Sequence, residues 1–226
     1  MTRLIVKYYD RVASRYDAAT RRKGAWKAPS ECAKLLRGRL KAKAVVLDLG
    51  VGTGSDLAAI TRPQGRVVGL DISRRMLEYA RRRLPHARLI VADIEKRLPI
   101  SRKPTFDLVM AIGILEFVRN LSTVFREAAL RLRPGGLICF TYEEQISSHP
   151  LQYARRSLRG EGVYQSVPRL LSFPVYRRTW PEVRRLIDMN GLVILGHHRF
   201  RAYTLRNSVT HKEYPVVYRV VLVQKP

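Results

Sequence analysis

The sequence predicts an α/β domain wound on both faces of a parallel sheet, and three observations predict it. The run at 44–48, AVVLD, is apolar up to Asp48 and passes through a glycine-dense turn, Gly50, Gly52 and Gly54, into an apolar-periodic stretch from Ser55. That is a buried strand, a loop and a helix in succession. Two further apolar runs, RVVGLD and ARLIVAD, end in Asp71 and Asp93. Strands that each deliver an acid at their C-terminal end place those acids where open parallel sheets bind ligands.

The elements follow in chain order. Residues 1–43 are helical in pattern and basic, with helices at about 4–16 and 29–40. The first core helix covers 55–61, and Pro63 and Gly65 turn the chain into a second strand at 66–70. Ser73 reads as the N-cap of a helix through Leu84, stopped by Pro85. Its apolar Met76, Leu77, Tyr79 and Ala80 form a core stripe, and its arginines form a solvated face or a phosphate site. A third strand at 87–92 and a fourth at 106–112 precede a helix at 121–133, and Pro134, Gly135 and Gly136 turn into a fifth strand at 137–142. Residues 143–178 are aromatic, basic and broken by Pro150, Gly160, Gly162, Pro168 and Pro174, which predicts an insertion with short helices over a site. A helix starting at Thr179 or Trp180 runs to Met189 and ends at Gly191, a sixth strand covers 192–199, and the last covers 214–223.

At 226 residues the chain suits a single domain, 1–226, with 1–43 and 143–178 as decorations. No apolar run approaches the ~20 residues of a membrane span, and no signal-peptide pattern opens the chain, so no span and a cytoplasmic location are expected. Cys32 and Cys139 offer neither metal spacing nor a disulfide framework, and the adjacent His197 and His198 point to opposite faces of a strand, so no metal is expected. The formal charge of +25 favours phosphates, nucleic acid or anionic surfaces as partners, or reflects an arginine-rich solvated surface. Oligomeric state is left open by the sequence.

The glycine loop narrows the ligand. A dinucleotide fingerprint is Gly-x-Gly-x-x-Gly, whereas here the order is Gly-x-Gly-x-Gly with Asp48 just before it. A carboxylate there suits an ammonium better than a pyrophosphate, which implies a ligand with an amino-acid end. Asp71 falls twenty-one residues after Gly50, where a carboxylate meets ribose hydroxyls in nucleotide-binding α/β folds. In so basic a chain, Asp48, Asp56, Asp71, Asp93 and Glu116 along one sheet edge make an acidic pocket in a basic shell.

These segments, VLDLGVGTG, GLDIS, VADIEKRLP, FDLVMAIGILEFV and LRPGGLICF, resemble the class I S-adenosylmethionine-dependent methyltransferases over residues 8–142. YYDRVASRYD is similar to the opening of the small-molecule type within that family. The resemblance implies a Rossmann-like seven-stranded sheet, five parallel core strands plus a sixth and an antiparallel seventh, with S-adenosyl-L-methionine as cofactor. It implies that Asp48 and the Gly50, Gly52 and Gly54 loop face the methionine part, Asp71 with Ile72 the ribose, and Asp93 with Ile94 the adenine. Ala111 and Gly113 would then end the fourth strand beside the transferring methyl. Residues 1–43 would form a helical lid in which Tyr8, Tyr9, Trp26 and above all Tyr16 face the sulfonium or simply pack the helices. The 143–178 insertion would form the acceptor wall.

Family members that methylate adenine N6 or glutamine carry an Asn/Asp-Pro-Pro-Tyr/Phe element after the fourth strand. Ala111, Ile112, Gly113 and Ile114 stand there instead, and no cysteine nucleophile is present. A small-molecule acceptor is therefore expected, with an RNA methyltransferase or a non-catalytic nucleic-acid or partner-binding scaffold as alternatives. Glu143, Glu144 and His149 are the candidate bases, or else solvated loop residues, with His197 and His198 more remote.

Overall fold

The computed structural model describes residues 2–21, 26–60, 65–146, 161–166, 170–206 and 213–226. The elements are α1 (Thr2–Arg21), α2 (Ala28–Leu36), β1 (Val46–Leu49), α3 (Ser55–Ile60), β2 (Val67–Asp71), α4 (Arg74–Arg83) and β3 (Arg88–Val91). They continue with β4 (Phe106–Ala111), a 3-10 turn (Leu115–Phe117), α5 (Leu121–Arg131), β5 (Leu132–Glu143), β6 (Glu161–Ser166), β7 (Leu170–Tyr176), α6 (Trp180–Met189), β8 (Val193–Arg206) and β9 (Glu213–Gln224). Seven strands form one sheet in the order β3-β2-β1-β4-β5-β9-β8. Strands β1 to β5 pair in parallel, and β9 is antiparallel to both β5 and β8. Only β9 is therefore reversed, as the Rossmann-like expectation had it.

Side-chain alternation explains why helices cover both faces. Leu47, Leu49, Val109, Ile138, Phe140, Val221 and Val223 share one buried cluster with Val124, Phe125 and Ala128 of α5 and Val183 and Ile187 of α6. Their neighbours Val46, Leu108, Met110, Leu137, Cys139, Val220 and Leu222 share the other with Ala28, Cys32 and Leu36 of α2 and Leu57 of α3. Both cysteines are free and fully buried. The paired histidines part as the alternation requires: His197 packs on Trp180 of α6 at 4.2 Å, and His198 reaches Glu31 of α2 at 2.9 Å.

Helix signals act as expected. The Ser73 hydroxyl oxygen accepts the Met76 N–H at 3.1 Å, and Glu182 accepts the Thr179 N–H at 2.7 Å. Helix α1 runs further than expected, to Arg21. The Pro134–Gly136 turn is absorbed into β5 as a register shift, with Gly135 at φ +74° donating to Lys225 O at 2.8 Å. Where described, the insertion holds an antiparallel pair, β6 with β7, whose GVYQ and LLSFPVY segments are rich in β-branched and aromatic residues; any short helices expected in it fall on residues outside the described ones. Residues 147–160 and 167–169 lie outside the described residues. Strand β7 packs against α1 and the 3-10 turn. No described helix is long and apolar enough to cross a membrane.

One ion pair locks the loop between β3 and β4 to α5. Arg131 is fully buried beside Glu127 at 3.1 Å and donates to Leu98 O and Ile100 O, while Glu127 accepts the Leu98 N–H at 2.9 Å and Arg102 at 3.1 Å. Burial pushes the Glu127 carboxyl up, but these partners outweigh it and hold it below the usual range. Removing one member of a buried pair strands the other charge. Glu127→Ala is expected to cost about 3–5 kcal/mol in urea unfolding, and Arg102→Ala, on a half-exposed partner, less than about 1 kcal/mol.

Candidate active site

The carboxyl edge of the sheet opens into a cleft in which α1 lies over β1, β2 and β4. Asp48, Gly50, Gly52, Asp56, Asp71, Ile72, Gly113 and Tyr16 line one recess, and Gly50, Asp71, Ile72, Asp93 and Ile94 line the next, each about 50 Å³. Beyond Gly113 a larger cavity of about 480 Å³ opens, walled by Tyr8, Tyr9, Tyr16, Trp26, Phe117 and Tyr218, with Glu116 in the wall. Tyr9, Tyr16 and Gly113 line both this cavity and the first recess.

The glycine loop is shaped by one carboxylate. Asp71 Oδ2 accepts the Gly52 N–H at 2.8 Å and Oδ1 accepts the Ser73 N–H at 2.8 Å. Gly50 and Gly52 stand at φ +80° and +54°, which side chains disfavour. A Cβ on Gly50 would lie 2.6 Å from Ile114, whereas one on Gly52 meets only a carbonyl oxygen 4.0 Å away. Gly54 does a different job from the one expected: its missing Cβ admits Leu84 of the α4 cap, at 2.8 Å, so it serves packing and lines no described recess. Ala111 likewise turns into the core beneath α5 instead of lining the cleft, because the alternation of β4 points it there. Gly113, at φ +62°, lies so close under Trp26 that a Cβ would sit 2.7 Å from the indole.

Burial pushes these acids up. Burial, then the charges of Asp56 and Asp71, raises Asp48 well above the ordinary range. Burial also raises Asp56 to about 6, against the Trp26 indole N–H that it accepts at 2.9 Å, and raises Asp71 to about 6, against its backbone donors. An arrangement of ionisable acids withheld from water suits a cationic ligand.

Helix α1 is pinned over the cleft by polar contacts. Asp10 accepts the Ser73 hydroxyl at 2.6 Å, and Asp17 accepts the Thr53 hydroxyl and an Arg83 N–H, each at 2.6 Å.

The candidate bases part company. Glu144 is gripped by Arg199 at 2.8 and 2.9 Å and by Arg219 at 3.0 and 3.1 Å, and Arg219 stacks over Trp180 at 4.7 Å. Burial pushes the Glu144 carboxyl up, but the two guanidiniums outweigh it and hold it low. Glu143 is buried against the Arg177 guanidinium. Both therefore sit in ion pairs that tie strands together, and neither lines the described cavity. His149 lies outside the described residues. The carboxylate that does line the cavity is Glu116, 4% exposed, its Oε1 taking the Tyr218 hydroxyl at 2.8 Å and its Oε2 buried with no hydrogen-bond partner among the described residues. Burial raises it to about 7. The sequence placed Glu116 near the cofactor edge but not among the bases; the signal was a lone acid inside the apolar GILEFV segment.

Residues 47–140 match the family model described as a methyltransferase domain. A trans-aconitate 2-methyltransferase of Azoarcus sp. is 36% identical over 106 residues, 46% of this chain and 41% of that protein. The dTDP-3-amino-3,4,6-trideoxy-alpha-D-glucopyranose N,N-dimethyltransferase of Streptomyces venezuelae is 33% identical over 110 residues, 48% of this chain and 46% of that protein. The chain thus spans less than half the length of either relative. Over residues 47–140 the chain is therefore similar to a methyltransferase domain. Solved structures share its fold: an S-adenosylmethionine-dependent methyltransferase from Methanosarcina mazei, TM-score 0.69, 17% identical, covers 84% of this chain and 96% of that one. The cyclase SpnF, TM-score 0.71, 15% identical, covers 100% and 97%.

S-adenosylmethionine, the cofactor of the methyltransferases to which the chain is similar, fits the donor set: buried carboxylates suit its ammonium and sulfonium, and a cradle at Gly52 lacks the Cβ that would intrude.

Glu116 also sets a stability test. It is protonated in both states below pH 4.5; between pH 4.5 and about 7 the unfolded chain ionises first, so stability falls across that window and stays lower above it. The loss amounts to roughly 3 kcal/mol. Glu116→Gln removes it, so thermal unfolding is expected to show the variant equal to wild type at pH 4.5 and several degrees more stable at pH 8.

Proposed function

We propose that the protein transfers the methyl group of S-adenosylmethionine to a small molecule held in the aromatic cavity. The observation that carries this reading is the continuity of that cavity with the acidic cleft across Tyr9, Tyr16 and Gly113. When bound, the cofactor supplies an electrophilic methyl on a sulfur leaving group. Asp48 and the Gly50 and Gly52 backbone would hold its amino-acid end, Asp71 and Ile72 its ribose, and Asp93 and Ile94 its adenine. The chain's own contribution is alignment and exclusion of water, worth several kcal/mol when two reactants are held in near-attack geometry.

In this reading α1 is a lid. Its Ile5, Tyr9 and Tyr16 line the narrow recesses, so admitting a nucleoside requires the Asp10 and Asp17 contacts to release. Residues 143–178 complete the acceptor side, consistent with β7 packing on α1. The names of the two relatives, one acting on trans-aconitate and one on a nucleotide-linked amino sugar, support a small-molecule acceptor. An RNA acceptor rests on the +25 charge alone.

Calorimetric titration with S-adenosylmethionine and S-adenosylhomocysteine tests the reading. Micromolar binding is expected for wild type, at least tenfold weaker for Asp71→Asn, with circular dichroism confirming the variant's fold; no binding by folded wild type overturns it. Because Asp56 and Asp71 hold protons up to about pH 6 and a cationic ligand favours their charged forms, affinity is expected to rise from pH 5 to pH 7 with proton release on binding. Titration in buffers of different ionisation enthalpy measures that release.

A further inference from the structure

We propose that the acceptor is an amine, recognised as a cation by the aromatic cavity and relieved of its proton by Glu116. The proposal rests on the methyl-transfer reading above and names the acceptor class of that site.

Three features of the cavity carry it. First, its walls are rings at steep angles to one another: Tyr8 to Tyr9 at 5.1 Å and 82°, Tyr9 to Phe117 at 5.9 Å and 72°, Tyr9 to Tyr16 at 6.1 Å and 63°, Trp26 to Tyr218 at 5.4 Å and 87°. Rings from α1, the segment before α2, the 3-10 turn and β9 line one space, and an aromatic lining of this kind attracts an ammonium. Second, the wall carboxylate Glu116 is supplied with only one side-chain donor, the Tyr218 hydroxyl, and its Oε2 is sealed from water with no partner among the described residues. A buried acceptor left unpaired costs free energy that an incoming N–H recovers. An ether, a carboxylate or a deprotonated phenol brings no such donor, and a carboxylate adds like-charge repulsion. Third, Trp26 is fixed by its indole bond to Asp56 and by its seat on Gly113, so the ring is preorganised beside the end of β4. Arg15 also lines the cavity, but its side chain is exposed, where water and salt screen it.

The chemistry closes on Glu116. Bound as the ammonium, the amine first passes one N–H proton to the Glu116 carboxylate; the lone pair so freed forms the bond to the methyl carbon of S-adenosylmethionine, the carbon–sulfur bond breaks with its electron pair passing to sulfur, the methylated product leaves as an ammonium, and Glu116 returns its proton to water. Tyr218, donating to the same carboxylate, positions it. A base whose burial places it near neutrality is suited to accept and return that proton.

The test separates charge from shape with two pairs of probes: choline against its neutral isostere 3,3-dimethylbutan-1-ol, and benzylamine against benzyl alcohol. Each is titrated at pH 7.5 into protein saturated with S-adenosylhomocysteine and read by the fluorescence of Trp26 in a Trp180→Phe background, which leaves one tryptophan of the chain's two. Expected is at least tenfold tighter binding of each cation than of its neutral partner, a preference that falls to threefold or less in Glu116→Gln and survives in Tyr218→Phe. Equal affinity within each pair, no binding of either cation, or an undiminished preference in Glu116→Gln overturns the amine assignment. Binding of S-adenosylhomocysteine, measured first in the same sample, is untouched by that failure; its absence instead sinks the methyl-transfer reading itself.

Discussion

The site depends on the two hydrogen bonds that Asp71 makes to the backbone. One oxygen holds Gly52 of the loop after β1, and the other holds Ser73 at the head of α4. Ser73 in turn caps α4 through Met76 and donates to Asp10 of α1. A single carboxylate therefore sets the loop, the helix start and, one bond further on, the register of the helix above them. The arrangement needs glycine at 50 and 52 because both adopt positive φ, and it needs Asp71 buried, at the cost of a carboxyl that holds its proton to about pH 6.

Much of this was legible in the sequence because it rests on local patterns. Apolar runs ending in Asp71 and Asp93, the glycine spacing after Asp48 and the Ser73 cap are each contained within a few residues, and the sheet order follows once the strands are recognised. His197 and His198 separate for the same reason, since a period of two is enough to split them. What the sequence hid depends on distant neighbours. Gly54 looks like its fellow loop glycines, yet it is shaped by Leu84, thirty residues on. Glu144 looks like a free acid after a strand, and only the pairing of β5, β8 and β9 brings Arg199 and Arg219 to it. Glu116 became visible as a wall residue only when Tyr218, 102 positions away, arrived beside it. In the insertion, prolines and glycines obscured the strands that pair as β6 with β7.

Charge is distributed by depth. With 43 Lys and Arg against 18 acids, the outer layer is basic, while Asp48, Asp56, Asp71 and Glu116 are gathered where the sheet opens. The unneutralised acids lie in the cleft and the neutralised ones, Glu127, Glu143 and Glu144, lie under arginines that tie elements together. Buried acids thus serve two purposes, according to whether a guanidinium pairs with them.

Five of the six rings walling the large cavity lie outside the segment that matches the methyltransferase-domain model, while Phe117 and the wall acid Glu116 lie within it. Residues 47–140 carry the family match, and within it lie the glycine loop, Asp71, Asp93 and Gly113, whereas Tyr8, Tyr9, Tyr16, Trp26 and Tyr218 belong to the flanks. Exchanging rings on α1 or β9 would therefore reshape the guest chamber and leave the glycine loop and Asp71 untouched. Gly113 is the doorframe between the two rooms: it sits in both, and any residue larger than glycine there drives into Trp26.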